Sequence, residues 1–352
     1  MGELHHLRSR SRYRRARRLR GDRRGVVAVI GTLLALLVFF ALFGVFLTQY
    51  VPLWMEEDES QLSSQLQGSL ATLKSGVDDQ YIIGGIPTYS VPFGLGSQSV
   101  PLLAQPTVAT LSYIAGCPGG FYSTNGTPRQ VGGCDFEHIA YTTGKLASGS
   151  QNNSYHQISP TDYLQVVVPN RYYSQVEYFF QEDGITEAQS STHQWMLVPP
   201  PLNISRTSGG AVSVTSSLLV LVGPASSYSG QGSKDVTSTF VSTTNVSSAG
   251  RFETPKGAPV PFNLTITLGV HDVCAWYNYL YNASLAALGT SGSGVWTLTG
   301  AQASGALALP PSSSVCALSL TSSYDLTLEI FGVSSAVTFI DQDELSFNAG
   351  GL

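Results

Sequence analysis

Charge is scarce in this sequence: Asp, Glu, Lys and Arg make up 12% of its 352 residues, and lysine occurs only at 74, 145, 234 and 256. So few cations beyond the N-terminus leave no basic face for phosphate backbones, and no nucleic-acid partner is expected. Also missing are G-x-x-x-x-G-K-S/T, H-E-x-x-H and G-x-S-x-G. Their absence removes P-loop nucleotide hydrolysis, zincin-type proteolysis and the nucleophile-elbow hydrolases. A Ser–His–Asp triad assembles in space rather than along the chain, and a Ser-rich chain always offers its parts. His5 and His6 lie near the N-terminus, while His138, His156, His193 and His271 are isolated from one another. Gly94-Leu95-Gly96 and Gly230-Gln231-Gly232 lack the strand-then-helix context of a phosphate loop and read as turns. The expectation is a chain with no cofactor, no metal and no enzymatic activity.

The charge that is present is unevenly placed. Residues 1–25 hold ten Arg against Glu3 and Asp22, a balance of +8, and the remainder carries −13. Val26 to Leu47 comes next, with no charged side chain (VVAVIGTLLALLVFFALFGVFL). About 20 apolar residues at ~1.5 Å each cross a hydrocarbon layer of ~30 Å. A secretory h-region is shorter, roughly 7–15 residues, and ends at small residues. This run instead ends in Phe46-Leu47-Thr48-Gln49-Tyr50, with Tyr50 and Trp54 where an interfacial aromatic belt would sit. The Arg block reads as a topology signal that holds the N-terminus in the cytoplasm. The segment reads as a single membrane span, with the lipid bilayer as its partner and the C-terminal domain extracellular.

Beyond it, Pro52 predicts a break or kink. Glu56, Glu57, Asp58 and Glu59 stand where the start of a new helix would favour negative charge. Leu62, Leu66, Leu70, Leu73 and Val77 then recur at spacings of 4, 4, 3 and 4, one narrow apolar stripe of helical period. The stripe can pack on the protein's own globular head or on neighbouring subunits.

From Tyr81 the pattern changes to short alternating runs separated by Gly, Pro, Ser and Asn. Tyr163–Val168, Tyr172–Gln181, Ala211–Val222, Val236–Val246, Asn263–Val270 and Tyr324–Phe331 read as strands. Glu182-Asp183-Gly184 reads as a hairpin turn. Residues 272–288 (DVCAWYNYLYNASLAAL) read as a helix with Asp272 as cap, Gly289 as stop, and Trp276, Leu280, Ala283 and Ala287 on one face. No period of 20–50 residues repeats, which excludes a solenoid. The expected architecture is mainly β, with an N-terminal transmembrane helix, a short helical stalk and a β-sandwich-like ectodomain with one inserted helix. Its divisions are a leader (1–25), the span (26–50), the stalk (51–80), a β-rich lobe (81–250) and a second β-rich lobe with the helix (251–352).

Cys117, Cys134, Cys274 and Cys316 all lie beyond the apolar run, and an even number in an extracytoplasmic chain favours disulfides. Three pairings are possible. The local one, Cys117–Cys134 with Cys274–Cys316, would staple a Gly-rich loop and tie the helix to a late segment. Cys117, Cys134 and His138 do not make a zinc site without a paired C-x-x-C. Asn125, Asn152, Asn203, Asn245, Asn263 and Asn282 each begin an N-x-S/T sequon. The first four are the glycosylation candidates, because Asn263 and Asn282 fall in expected regular structure. Asp341-Gln342-Asp343-Glu344 lacks the glycine and spaced ligands of a calcium loop and reads as a solvated acidic turn.

The junction Arg24-Gly25-Val26, RRG before VVAVIGTLL, resembles the class III signal peptides of archaeal type IV pilin-like membrane-anchored surface proteins. The resemblance implies that Gly25 is the last leader residue and Val26 the first mature one. Ala28 stands where proline is commoner in that family. Ile30 holds the fifth mature position, where archaeal members often lack a glutamate. Gly96–Tyr113 and Asn170–Gln189 are similar to segments of uncharacterised secreted proteins with the same anchor, matching at Asn170, Tyr173, Glu182 and Gly184. The expectation is a pilin-like structural or adhesive component packing with copies of itself or other pilin-like subunits through the apolar helix. The alternatives are an uncleaved surface-binding protein or adhesin and, less favoured, a tethered extracellular hydrolase.

Overall fold

The computed structural model describes residues 27–83, 88–97, 105–115, 136–142, 154–160, 162–190, 193–247, 260–290, 294–302, 305–307 and 324–348. The protein is mainly β with a long apolar N-terminal helix. The chain divides into two compact units, Met1–Glu57 with Val100–Gln105, and Asp58–Ser99 with Pro106–Leu352.

Helix α1 (residues 27–45) leads into a π-helical turn, Phe46–Tyr50, and then into α2 (Val51–Ile83), which belongs to the second unit from Asp58 onward. The break expected at Pro52 does not occur. Proline lacks the N–H that would bond four residues back, and its ring crowds that carbonyl. The wide turn just before it, closed by Val51 N–H donating to Phe46 O, accommodates the ring without ending the helix. Glu56–Glu59 therefore lie inside a continuing helix rather than at a new N-terminus.

The second unit holds the strands. In chain order they are β1 Thr88–Gly94, β2 Thr110–Ile114, β3 Phe136–Thr142, β4 Ser154–Pro160, β5 Tyr163–Val168, β6 Val176–Gln181, β7 Gly184–Ser190 and β8 His193–Val198. They continue as β9 Leu202–Arg206, β10 Val212–Val222, β11 Ser226–Ser229, β12 Ser233–Ser247, β13 Phe262–Val270, β14 Trp296–Gln302, β15 Gly305–Leu307 and β16 Tyr324–Asn348. An antiparallel six-stranded sheet runs β11-β2-β5-β6-β7-β8. A ten-stranded mixed sheet has the path β1-β12-β16-β13-β3-β4, with β10 and β14 also on β16.

Strand β16 is the spine of the larger sheet. Its first part pairs with β13 and β14, and after Gly332 (φ +68) its second part runs parallel to β10 and antiparallel to β12. Strands from both sides of residue 250 thus share one sheet, with β16 and β13 lying between β12 and β3. The acidic run Asp341–Glu344, expected as a turn, lies within this strand, where Asp343 is buried and accepts from the Ser238 hydroxyl at 2.9 Å.

Alternation in the strands builds two apolar clusters. In one, α3 (Val273–Leu288) lays Trp276, Tyr277 and Leu280 on β10, β13, β14 and β16. The buried face of α3 continues through Ser284 and Leu288, so the expected Ala283 and Ala287 sit beside it, only partly covered. In the other cluster, Leu62, Leu66, Leu70, Leu73 and Val77 pack with residues of both sheets, Phe93, Leu111, Val166, Phe180 and Leu221 among them. All five stripe residues are at most 5% exposed. Of the two partners the stripe could take, its own head is the one it has, and each fully buried leucine contributes roughly 1.5–3 kcal/mol.

Candidate functional site

Three places concentrate chemistry or exposed surface: the apolar segment, a buried carboxylate on α2, and a cavity beside the 182–184 hairpin.

The apolar segment is exposed on every side. Val27 (69%), Leu37 (63%) and Leu42 (67%) point in different directions around α1, and none of its apolar 18-residue window is buried. It is one helix long and apolar enough to cross a membrane. Thr32 and Thr48 return their hydroxyl protons to the carbonyls of Val29 and Gly44, so neither presents a free donor to lipid. Phe39, Phe43, Phe46 and Tyr50 stack in succession along one side. Arg24, Gly25 and Val26, the expected processing junction, lie outside the described residues.

Glu59 is on the same face of α2 as the leucine stripe, one turn ahead of Leu62, and is fully buried. The loop between β5 and β6 turns three successive backbone N–H groups towards it. Arg171 donates at 3.0 and 3.1 Å, Tyr172 at 2.7 Å and Tyr173 at 2.8 Å, and the Thr107 hydroxyl donates to the same carboxylate. Burial pushes the carboxyl up, but the hydrogen bonds from Thr107 and the three amides outweigh it and hold the group below its ordinary range. Asn170 secures the loop, donating to Ser174 O at 2.7 Å and to the Ser63 hydroxyl at 3.3 Å. Asn170 and Tyr173, which the sequence marks only through a resemblance, are thus parts of a clamp that ties the β5–β6 loop to the helix. The signal that could have revealed Glu59 is its place in line with Leu62 and Leu66, where an acid needs a partner.

The hairpin β6–β7 turns on Glu182 and Asp183, both non-glycine residues at positive φ (51° and 59°), with Gly184 opposite Gln181. This is the backbone of a type I′ turn. Gly184 is required for space rather than for its torsion angles, because a Cβ there would meet Trp276 Cζ2 at 2.9 Å. The turn is buried. Asp183 lies 2.7 Å from Lys74 Nζ, and the same ammonium reaches both oxygens of Asp78 at 3.0 and 3.1 Å. Burial pushes the Asp183 carboxyl up, against the opposing pull of the Lys74 ammonium.

Next to this triad opens a cavity of about 490 Å³. Val77, Tyr81 and Ile82 of α2, Leu202 of β9, Leu219 of β10 and Phe339 of β16 give it apolar walls, and Asp78 and Asp183 line it too. The rings of Tyr81 and Phe339 meet at 5.7 Å, tilted by 56°.

At the start of α3, Asp272 occupies the cap position without capping. Its side chain instead accepts from the Thr186 hydroxyl, and burial, more than any neighbour, pushes its carboxyl up to about 7. Cys274 is buried and disulfide-bonded, and its N–H donates to Gln194 at 3.1 Å. Cys117, Cys134 and Cys316 lie outside the described residues. His271 packs its ring on Tyr163 and Phe179. Among the described residues no group of three or more His, Cys, Asp or Glu is placed to hold a metal.

Of the sequons, Asn203 and Asn245 are exposed, while Asn125 and Asn152 are outside the described residues. Asn263 is half-buried in β13, as its strand position suggests. Asn282 is exposed despite lying in α3, on a side that lines a cleft with Trp195 and Met196 of β8. Compared with known proteins, the chain matches no family model, no curated protein and no solved structure.

Proposed function

We propose that this protein is a single-pass membrane-anchored surface protein, a pilin-like structural or adhesive component that presents its β-rich body outside the cell. The observation that carries the reading is the all-round exposure of residues 27–45, where thirteen large apolar side chains from Val27 to Val45 are each at least 40% exposed. Such a surface is not stable in water and is satisfied by lipid or by other apolar helices. The ten arginines among residues 1–25 set the N-terminus in the cytoplasm, which leaves the cysteine- and sequon-bearing body outside, where disulfides persist. In this reading Gly25 and Val26 flank the processing site, and the freed helix leaves lipid to pack with other apolar helices.

The burial of Leu62, Leu66, Leu70, Leu73 and Val77 favours a second reading, an uncleaved adhesin that does not polymerise. With that stripe engaged in its own head, a filament would have to be assembled from the apolar segment alone. The mass and N-terminal sequence of the mature protein, isolated from its native membrane, separate the two. A chain starting at Val26 supports the processed pilin-like subunit, and a retained arginine block supports the plain anchor.

A further inference from the structure

The cavity beside the buried hairpin is not needed by an anchor or by a filament helix, and its chemistry is specific. Its size falls within the roughly 300–1,000 Å³ of small-molecule sites. Two carboxylates, Asp78 and Asp183, line it, no cationic side chain lines it among the described residues, and the Lys74 ammonium is shared by both carboxylates. That triad therefore carries one negative charge more than it neutralises when both acids are ionised. Asp78 remains 41% exposed in its side chain and so is able to meet a second cation. Tyr81, one turn beyond Asp78 on α2, and the Phe339 ring packed on it also line the cavity, and aromatic rings attract a positive head as well as covering an apolar body. An anion would meet the carboxylates, and a neutral apolar molecule would use the walls and leave the charge unanswered.

We propose that the cavity formed by α2, β9, β10 and β16 binds a small organic cation with an apolar body, an alkyl- or arylammonium, with Asp78 as the partner of its charge. Its validity is independent of whether the chain is processed or polymerises, because every residue involved belongs to the body.

The test uses the full chain in lipid nanodiscs, with empty nanodiscs as the blank for partitioning. Binding of benzyltrimethylammonium, benzyl alcohol and phenylacetate is measured by calorimetry or ligand-observed NMR. Saturable one-to-one binding of the cation is expected, at least ~10-fold tighter than the alcohol, with phenylacetate weaker still. Thr215 lines the cavity and is exposed, so Thr215→Trp is expected to fill the space and abolish binding without disturbing the fold. Asp78→Asn is expected to keep the apolar contribution and lose most of the preference for the cation. The proposal is overturned by absence of saturable cation binding or by equal affinity for the three probes. Preference for phenylacetate, or cation binding that survives Thr215→Trp, overturns it as well.

Discussion

Residues 27–45 and residues 62–77 are both leucine-bearing helix, yet the two differ in what surrounds them. In the first, apolar side chains point in all directions and every large one is exposed; in the second they occupy one stripe and are buried. An all-round apolar helix has no orientation that would satisfy it at a protein surface, so it needs a surrounding apolar medium. A striped helix needs only one apolar face to lie on, and its other side can face water. Hydroxyls in both stretches bond back to their own helix, Ser63, Ser64 and Thr72 in the second among them, and the charged side chains of α2 make the difference. Thr32 and Thr48 bond back to their own helix, whereas Glu59 and Lys74 reach across to distant loops.

Substitutions can break or sharpen this contrast. The largest effect is expected at Glu59. Glu59→Ala strands the Thr107 hydroxyl and three backbone N–H groups in the interior and should destabilise the body by about 3–5 kcal/mol in urea unfolding. Because the folded carboxyl lies below its ordinary value of 4.5, its contribution is complete above that value and fades as pH falls through the folded one. Glu59→Gln should therefore flatten the acid limb of the stability curve, and an unchanged acid limb would contradict the clamp.

Leu70→Ala removes a fully buried side chain and should cost about 2–5 kcal/mol, whereas Leu37→Ala should leave the body's unfolding midpoint where it is. Equal shifts in the two variants would erase the distinction between the helices. The reverse experiment places a charge in the apolar segment. Leu37→Arg should cost about 2.5–3.5 kcal/mol of membrane insertion, read as the fraction resisting alkaline carbonate extraction, with unfolding of the body unaffected.

The smallest difference concerns glycine. At Gly31 and Gly44 an added Cβ meets nothing within 4 Å, but at Gly76 it would fall 2.1 Å from the Tyr89 ring. Gly76→Ala should destabilise the body by about 1–3 kcal/mol despite alanine's better helix propensity, and Gly31→Ala should not. Paired thermal melts decide this.

Much of the architecture is legible because it is periodic. Strand β5 lies where alternation places it, β10 and β13 differ from expectation by one residue at an end, and α3 begins one residue past the expected Asp272. The hairpin at 182–184 is legible too, with Glu182 and Asp183 as its two turning residues. What the pattern misses is interaction at a distance. Pro52 reads as a break or kink, and the π turn that lets the helix continue has no sequence signature. Asp272 reads as a cap because its neighbour in space, Thr186, is 86 residues away.

The sequence by itself determined that one helix is long and apolar enough to span a membrane, and that short strands dominate the rest of the chain. Both are matters of local period and length, set by covalent geometry and hydrophobicity. Only the tertiary structure decided what Leu62–Val77 packs against, where Glu59 and Lys74 find their counter-groups, and that β16 joins strands from both ends of the body. Those depend on which distant surfaces meet once the chain has closed, and a stripe of leucines looks the same whether it faces its own sheet or another subunit.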